Sequence, residues 1–576
     1  GQRERPQAAS QREHKRQFSG SSLGRAAEGE GRHQEEQSGP DHVPFPLVRG
    51  PFSDIKFGSP METEGPPCDR NSGPLNSAND CYGSQGPATI HRSAAHDTSM
   101  VMTRLLLTLA LLMGFVGEAW ATPGDGEKVG HKQSAWKRSS AHRGRAMKMG
   151  EAYRKFINDN RTEREVVSAA LTQASRRGFV DLFARASRVK PGSKLVASQH
   201  GKIAALVVVG SQPLSEGVHV VAAHIDSVRI DLKQTPLYAD GNMALLETHY
   251  YGGIKPYQWL SQPLQLRGVV IRKDGKRIDV AIGDEPGEPV LVIPDIAVHM
   301  SYYVDKREGE ELPGESLDPI VSSTPSRSGK ARDPYAQEAT RLIESQLGIK
   351  LGDLASAELA LVPAAAVRDV GLDRALVGGY GQDDRACAFA ALQALWEVKQ
   401  PKHTAIVVLV DKEEVGSAGN SGARSAFLRR VVAELLEGQG KTSTAAAIAE
   451  VFASSMVFSA DTSGAVNPHY SSLYDKKNAS FLGSGIIWDQ SGVHAEVLGY
   501  VRGLLDREKI SHQASTWGKT RGSKGDEGTV LNYFTRLGMD GIDVSIPLLS
   551  MHSMYELVSK IDLYEGYRTY RAFLQD

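Results

Sequence analysis

Residues 405–417, Ala-Ile-Val-Val-Leu-Val-Asp-Lys-Glu-Glu-Val-Gly-Ser, constrain this chain more than any other stretch. Six apolar residues, three of them valines, run almost directly into the adjacent carboxylates Glu413 and Glu414. A run with no polar alternation reads as a strand buried on both faces, as in the middle of an α/β sheet. Carboxylates just past its end fall at the carboxyl edge of that sheet, where open α/β folds place their ligands. Taken alone, the pair also fits a solvated acidic turn, because charged residues are mostly exposed. The decision rests on whether other strands deliver matching chemistry to the same edge.

Several do. Residues 203–209 read as a strand, and residues 218–223 as another that ends in His224-Ile225-Asp226-Ser227. A strand over 456–459 leads to Asp461, and one over 542–546 leads to Ser550-Met551-His552-Ser553. Gln382-Asp383-Asp384-Arg385 opens a helix in which Phe389, Leu392 and Trp396 share a face, and a further helix lies near 425–437. Each residue has an ordinary explanation by itself. Asp383 or Asp384 could cap the helix, either histidine could be a satisfied core residue, and Asp461 could start a turn with Thr462, Ser463 and Gly464. Together they form one set of ligand types suited to zinc. The three cysteines, Cys68, Cys81 and Cys387, make no Cys-x-x-Cys pair, so any metal falls to His, Asp and Glu. Two zinc ions roughly 3.5–4 Å apart need about this inventory: a histidine and a carboxylate each, an aspartate between them, and room for water. A neighbouring glutamate can then take a proton. Asp226, two residues past His224 on extended chain, points to the same side and can orient the imidazole.

The remaining sequence sets the domains. A chain of 576 residues is long enough for two or three. Its net charge of −1 offers no electrostatic case for nucleic acid. Residues 1–99 lack apolar periodicity and are expected to be disordered, an upstream extension outside the cellular protein. Residues 100–121 carry Arg104, an apolar run over 105–116 and Ala119-Trp120-Ala121, the pattern of a secretory signal peptide. That run is short for a membrane span. The expectation is therefore a periplasmic or secreted protein without a stable membrane anchor after cleavage, its native N-terminal sequence starting at Thr122. Residues 122–145 read as a flexible basic lead and 149–186 as helical. The α/β pattern over 122–233 and 368–576 is interrupted by a β-rich insert over 234–367. Within the insert, alternating segments at 264–272 and 277–282 flank Asp274-Gly275, 304–335 reads as a polar loop, and 335–347 as a short helix.

In order and spacing these motifs resemble the aspartyl aminopeptidase family, which includes the vacuolar aminopeptidase I type. The resemblance rests on His224-Ile-Asp-Ser, Asp411-Lys-Glu-Glu-Val-Gly-Ser417, Ser459-Ala-Asp-Thr-Ser-Gly-Ala-Val-Asn-Pro-His-Tyr470 and Ser550-Met-His-Ser553. Tyr251-Gly-Gly and Ile293-Pro-Asp-Ile-Ala-Val-His299 match within the insert. It implies a mixed sheet sandwiched by helices, with the insert as a dimerisation domain. It implies a dinuclear zinc aminopeptidase that hydrolyses N-terminal residues of peptides through a zinc-activated water. By the same resemblance His224 and Asp461 hold one zinc, Glu414 and His552 the other, and Asp383 bridges them. Glu413 is then the general base. His299 matches a histidine that reaches a neighbouring subunit's site and steadies the tetrahedral intermediate. The assembly implied is a homo-oligomer built on dimers, up to a dodecamer. Cobalt and manganese suit a similar ligand set.

One departure bears on specificity. Members that prefer acidic N-termini carry a lysine beyond the position of Tyr470. An ungapped count from Asp461 puts Asp489 in its place. A negative group there repels acidic side chains and favours basic or neutral ones. A zinc amidase or carboxypeptidase acting on N-acylated amino acids, and a non-catalytic scaffold on the same fold, remain as alternatives at this point.

Overall fold

The computed structural model describes residues 133–184, 188–300, 317–328, 332–475, 477–489, 492–515 and 528–576. The expected extension over 1–99 and the signal-like segment over 100–121 lie outside the described residues.

The described chain begins ahead of the expected first helix. Helix α1, Ser140–Asp159, starts inside the stretch read as a flexible lead. Its order comes from docking on the end of the chain: His142 Nε2 lies 2.6 Å from Glu565, and Ala146 and Tyr153 are buried. Helix α2, Glu163–Arg176, follows after a break at Asn160–Thr162. Thr162 and Glu165 form a capping box there, so the single helical run expected over 149–186 is two helices. The Thr-x-x-Glu signal was present in the sequence.

Strands β1 (Lys194–Gln199), β2 (Ile203–Val208) and β3 (Val218–His224) come next. The chain then enters a second sheet through β4 (Arg229–Asp240), β5 (Met243–Tyr251), β6 (Pro263–Ile271) and β7 (Arg277–Ile282). After helix α3 (Pro334–Leu347) it returns on β8 (Ala357–Pro363). Strand β4 starts ahead of the expected insert boundary at 234, because Arg229–Leu232 already pairs with Thr248–Tyr251. Short strands at Leu291–Val292 and Ile320–Ser322 complete this sheet, the latter inside the segment read as a polar loop. Strand β8 pairs with both β4 and β6, so the sheet closes on itself, with β7 paired to β6 alone as its remaining edge strand. His299 lies in an exposed turn beyond Ile293.

Strand β9 (Leu376–Gly379), helix α4 (Gln382–Glu397), strand β10 (Thr404–Val410), helices α5 (Phe427–Gly438) and α6 (Ala445–Ala453) and strand β11 (Met456–Ser459) resume the first sheet. Helix α7 (Ala495–Arg507), strands β12 (Asp540–Leu549) and β13 (Glu556–Ser559) and helix α8 (Lys560–Gln575) finish it. The strand order is β1-β2-β10-β3-β11-β12-β13-β9. Its centre, β10-β3-β11-β12, is parallel throughout. In β10, Ala405, Val407 and Leu409 pack with α1, α2, α4, α7 and α8, while Ile406, Val408 and Val410 pack with α5 and α6. Both faces of that strand are therefore core, which is why its apolar run is unbroken. Among the described residues no helix is long and apolar enough to cross a membrane.

At the opposite edge from the strand ends, His219 of β3 stacks against His403 and Phe573, each at 4.5 Å between ring centroids. Its Nδ1–H donates to the Phe573 carbonyl at 2.8 Å. Burial pulls this histidine down to about 4. The unfolded chain takes up that proton near pH 6.5 and the folded chain only near 4, so His219 costs stability as pH falls through this window. His219→Phe is expected to flatten the loss of the urea midpoint between pH 6.5 and 4.5; an unchanged slope would refute the assignment.

Candidate active site

Parallel strands point their carboxyl ends one way, and that edge collects the site. Strand β3 ends on His224, β10 leads through Asp411 and Lys412 to Glu413 and Glu414, β11 leads to Asp461, and β12 leads to His552. Asp383 and Asp384 lie in the first turn of α4, which packs beneath the same edge. Positive φ angles at Lys412 (66°) and His552 (61°) turn the chain sharply and bring these side chains inward.

The geometry centres on Asp383. His224 Nε2 is 3.2 Å from its Oδ1 and His552 Nε2 is 3.3 Å from its Oδ2. His224 Nε2 also lies 3.5 Å from Asp461 and 4.0 Å from Glu413. His552 Nε2 lies 3.4 Å from Glu414. The five expected ligands and the expected base thus come together. Asp383 alone of the doubled aspartates faces both imidazoles, whereas Asp384 offers an oxygen only on the His224–Asp461 side.

Asp226 stands behind the cluster, buried. Its backbone oxygen accepts from His224 Nδ1 at 3.0 Å, and its carboxylate lies 3.4 Å from the same nitrogen. That carboxylate also accepts from the backbone N–H groups of Glu413 (3.2 Å) and Glu414 (3.3 Å). It therefore fixes the imidazole and the two glutamates against one another.

Electrostatics show what the cluster lacks. Burial pushes Glu413 up to about 8, and burial and the Asp383 charge push Glu414 well up. Burial also raises Asp461. His552 is pulled down by burial but pushed up to about 10 overall by its bond to Asp383 and the charge of Glu414. Glu414 Oε1 is buried with no hydrogen-bond partner. Carboxylates crowded out of water, imidazoles drawn toward protonation and an orphaned oxygen call for added positive charge. The donors, two imidazole nitrogens among carboxylate oxygens, fit zinc.

The cluster opens on a cleft of about 1100 Å³ whose wall includes Asp489, His494, Asp540 and Asp543. Asp489, half-buried just past the strand Ile486–Trp488, donates its backbone N–H to the Asp543 carbonyl at 3.3 Å. His299 is not among the residues that line this cleft.

One residue escaped the sequence reading altogether. Buried Glu556 accepts from the backbone N–H groups of Gln382 (2.6 Å), Asp383 (3.2 Å) and His552 (2.8 Å). It ties the start of α4 to the His552 turn. In sequence it is one acidic residue before a short strand, and nothing there marks it.

Comparison with known proteins identifies the family. Residues 156–574 match the family model of the aminopeptidase I zinc metalloprotease (M18). A Clostridium acetobutylicum relative named "Probable M18 family aminopeptidase 1" is 36% identical over 442 residues, 74% of this chain and 94% of its own. The crystal structure of an M18 family aminopeptidase from Thermotoga maritima superposes with a TM-score of 0.73 at 36% identity, covering 77% of this chain and 99% of that one. The S. cerevisiae mApe1 dodecamer shares the fold at 22% identity, with a TM-score of 0.60 over 74% of this chain and 96% of that one. The chain belongs to the M18 family of zinc-dependent aminopeptidases.

Proposed function

We propose that this chain is a two-zinc aminopeptidase in which Asp383 bridges the ions, His224 and Asp461 hold one, and Glu414 and His552 hold the other. The observation that carries the reading is that each oxygen of Asp383 faces a different imidazole nitrogen, at 3.2 and 3.3 Å. Zinc at such a site lowers the pKa of water and polarises the scissile carbonyl. The chain's own groups do the rest. Glu413, 4.0 Å from His224 Nε2, accepts the proton from the attacking water and returns it to the departing amine. Asp226 keeps the His224 Nδ1 proton directed at itself, which leaves Nε2 free to coordinate. Membership of the M18 aminopeptidase family supports an aminopeptidase over an amidase of N-acylated substrates.

His299 serves a second copy of the chain. Support comes from its exposed turn in the second domain, where Ile296, Val298 and Met300 are 42%, 65% and 53% exposed. An apolar face of this kind fits a homo-oligomer built on dimers, and a protein of the same fold assembles as a dodecamer.

Asp489 in the cleft wall sets the side-chain preference toward basic or neutral residues. On a panel of aminoacyl p-nitroanilides, Lys, Arg and Leu are expected to exceed Asp and Glu by about tenfold or more in kcat/KM, equivalent to ~1.4 kcal/mol. Asp489→Lys should narrow that gap. Efficient release of Asp or Glu by the wild type would overturn the assignment.

A further inference from the structure

The reaction as described draws no group from the second domain of the same chain, yet among the described residues that domain meets the candidate metal ligands through Tyr251, Gly252 and Gly253. Strand β5 ends on Tyr251, and Gly252 and Gly253 follow. The Tyr251 hydroxyl donates to Asp226 Oδ2 at 2.8 Å, the same carboxylate that holds His224 and the backbones of Glu413 and Glu414. The tyrosine is itself fixed from behind. The Arg229 guanidinium lies 3.9 Å from its ring centroid, and Arg229 is ion-paired with Asp231 (2.7 Å) and Glu163 (3.3 Å).

The two glycines touch the Glu414–His552 pair directly. Gly252 has φ +73°, and a Cβ there would stand 3.2 Å from both Cβ and Oε2 of Glu414 and 2.8 Å from Cγ1 of Val228. The Glu414 side chain therefore lies against bare backbone. The Gly253 carbonyl accepts from His552 Nδ1 at 3.0 Å. That bond fixes the tautomer and leaves Nε2 facing Asp383 and Glu414. Three consecutive residues thus meet a carboxylate ligand, an imidazole ligand and the aspartate that steadies the other imidazole.

We propose that Tyr251-Gly252-Gly253 is a positioning strap through which the second domain holds Glu414, His552 and Asp226 in register, so that metal affinity at the Glu414–His552 position depends on that domain. The inference rests on the two-zinc reading and extends it to residues that touch neither substrate nor metal. Its counterpart is a purely packing role, in which the glycines merely give Val228 room.

The two roles separate in a cobalt titration. The metal-free full-length chain is titrated with Co²⁺ against a competing chelator and followed by its d–d absorption. Wild type, Gly252→Ala, Val228→Ala/Gly252→Ala and Tyr251→Phe are compared. Gly252→Ala is expected to weaken one of the two ions by about 10–100-fold and leave the other unchanged. Val228→Ala removes the atom nearest to a Cβ at position 252 and leaves its contact with Glu414, so the double variant should stay weak. Tyr251→Phe keeps the ring under Arg229 and is expected to lower kcat by about tenfold or more with KM little changed. Restoration of both ions in the double variant would overturn the proposal in favour of packing. Equal weakening of both ions, or wild-type titration by Gly252→Ala together with wild-type kcat for Tyr251→Phe, would also overturn it. Uptake of a single ion by the wild type would instead overturn the two-zinc reading, and the kcat-against-KM result for Tyr251→Phe would then decide the strap. The same result decides it if Gly252→Ala does not fold.

Discussion

Glu413→Gln is expected to lower kcat by about 10²–10⁴-fold, the usual contribution of a positioned general base. Glutamine keeps the shape of the side chain and cannot accept the proton. The backbone N–H of residue 413 still donates to Asp226, so the loop stays in place. Glu413 lies 4.0 Å from His224 Nε2, within reach of the cluster but outside the pairs that Asp383 organises. Metal content measured by plasma emission should therefore remain that of the wild type, and KM should change little. Full activity in this variant would remove Glu413 from the chemistry. Loss of activity together with loss of metal would make it a ligand instead.

The second large effect is expected at Asp383. Asp383→Ala removes the carboxylate shared by both imidazoles while keeping the backbone bonds of residue 383 to Ser227 and Glu556. The expected result is a fall in bound metal and a loss of several kcal/mol of transition-state stabilisation, about three orders of magnitude in kcat/KM. A chelator such as 1,10-phenanthroline should reproduce the rate loss in the wild type, and added zinc should reverse it. In Asp383→Ala the same zinc concentration should restore little. Near-ultraviolet circular dichroism separates this outcome from unfolding. Near-normal kcat/KM with both metals retained would place the bridge elsewhere, with Asp384 as the first residue to test. That residue is fully buried with Oδ2 unpartnered, and burial and the Asp461 and Asp383 charges hold its carboxyl well above the usual range.

The catalytic sheet was legible because its signals are local. The apolar runs over 203–208 and 405–410 are strands buried on both faces, those over 218–223 and 456–459 are buried but for His219 and Met456, and runs of that kind need no partner to be recognised. The candidate ligands were legible for the same reason: each stands within a few residues of a strand or helix end, and parallel strands bring like ends to one edge. The order of the segments from His224 to His552 was enough to identify the family before any packing was known.

Other features stayed hidden because they depend on pairings distant in the chain. Residues 135–145 read as a polar lead, since the partners that order them stand far along the chain, Ser511 373 positions from Arg138 and Glu565 423 from His142. The second sheet was visible as a set of hairpins, but its closure was not, because Ala357–Pro363 must find Leu264–Val270 across the intervening chain. Tyr251-Gly252-Gly253 was a motif without a task until Asp226, Glu414 and His552 arrived from three other segments. Glu556 carried no mark at all.

The sequence by itself determined the inventory: which residue types reach the edge of the sheet, in what order, and that no thiolate is among them. Only the tertiary structure decided how that inventory is held. The two oxygens of Asp383 face different imidazoles, Asp226 and Glu556 tie together the loops that carry them, and the bare backbone of Gly252 lies against Glu414. The physical reason is the range of the interactions. Strand burial is written every second residue, whereas the alignment of a carboxylate oxygen with an imidazole nitrogen depends on a few tenths of an ångström set by chain segments that meet only when the whole fold has formed.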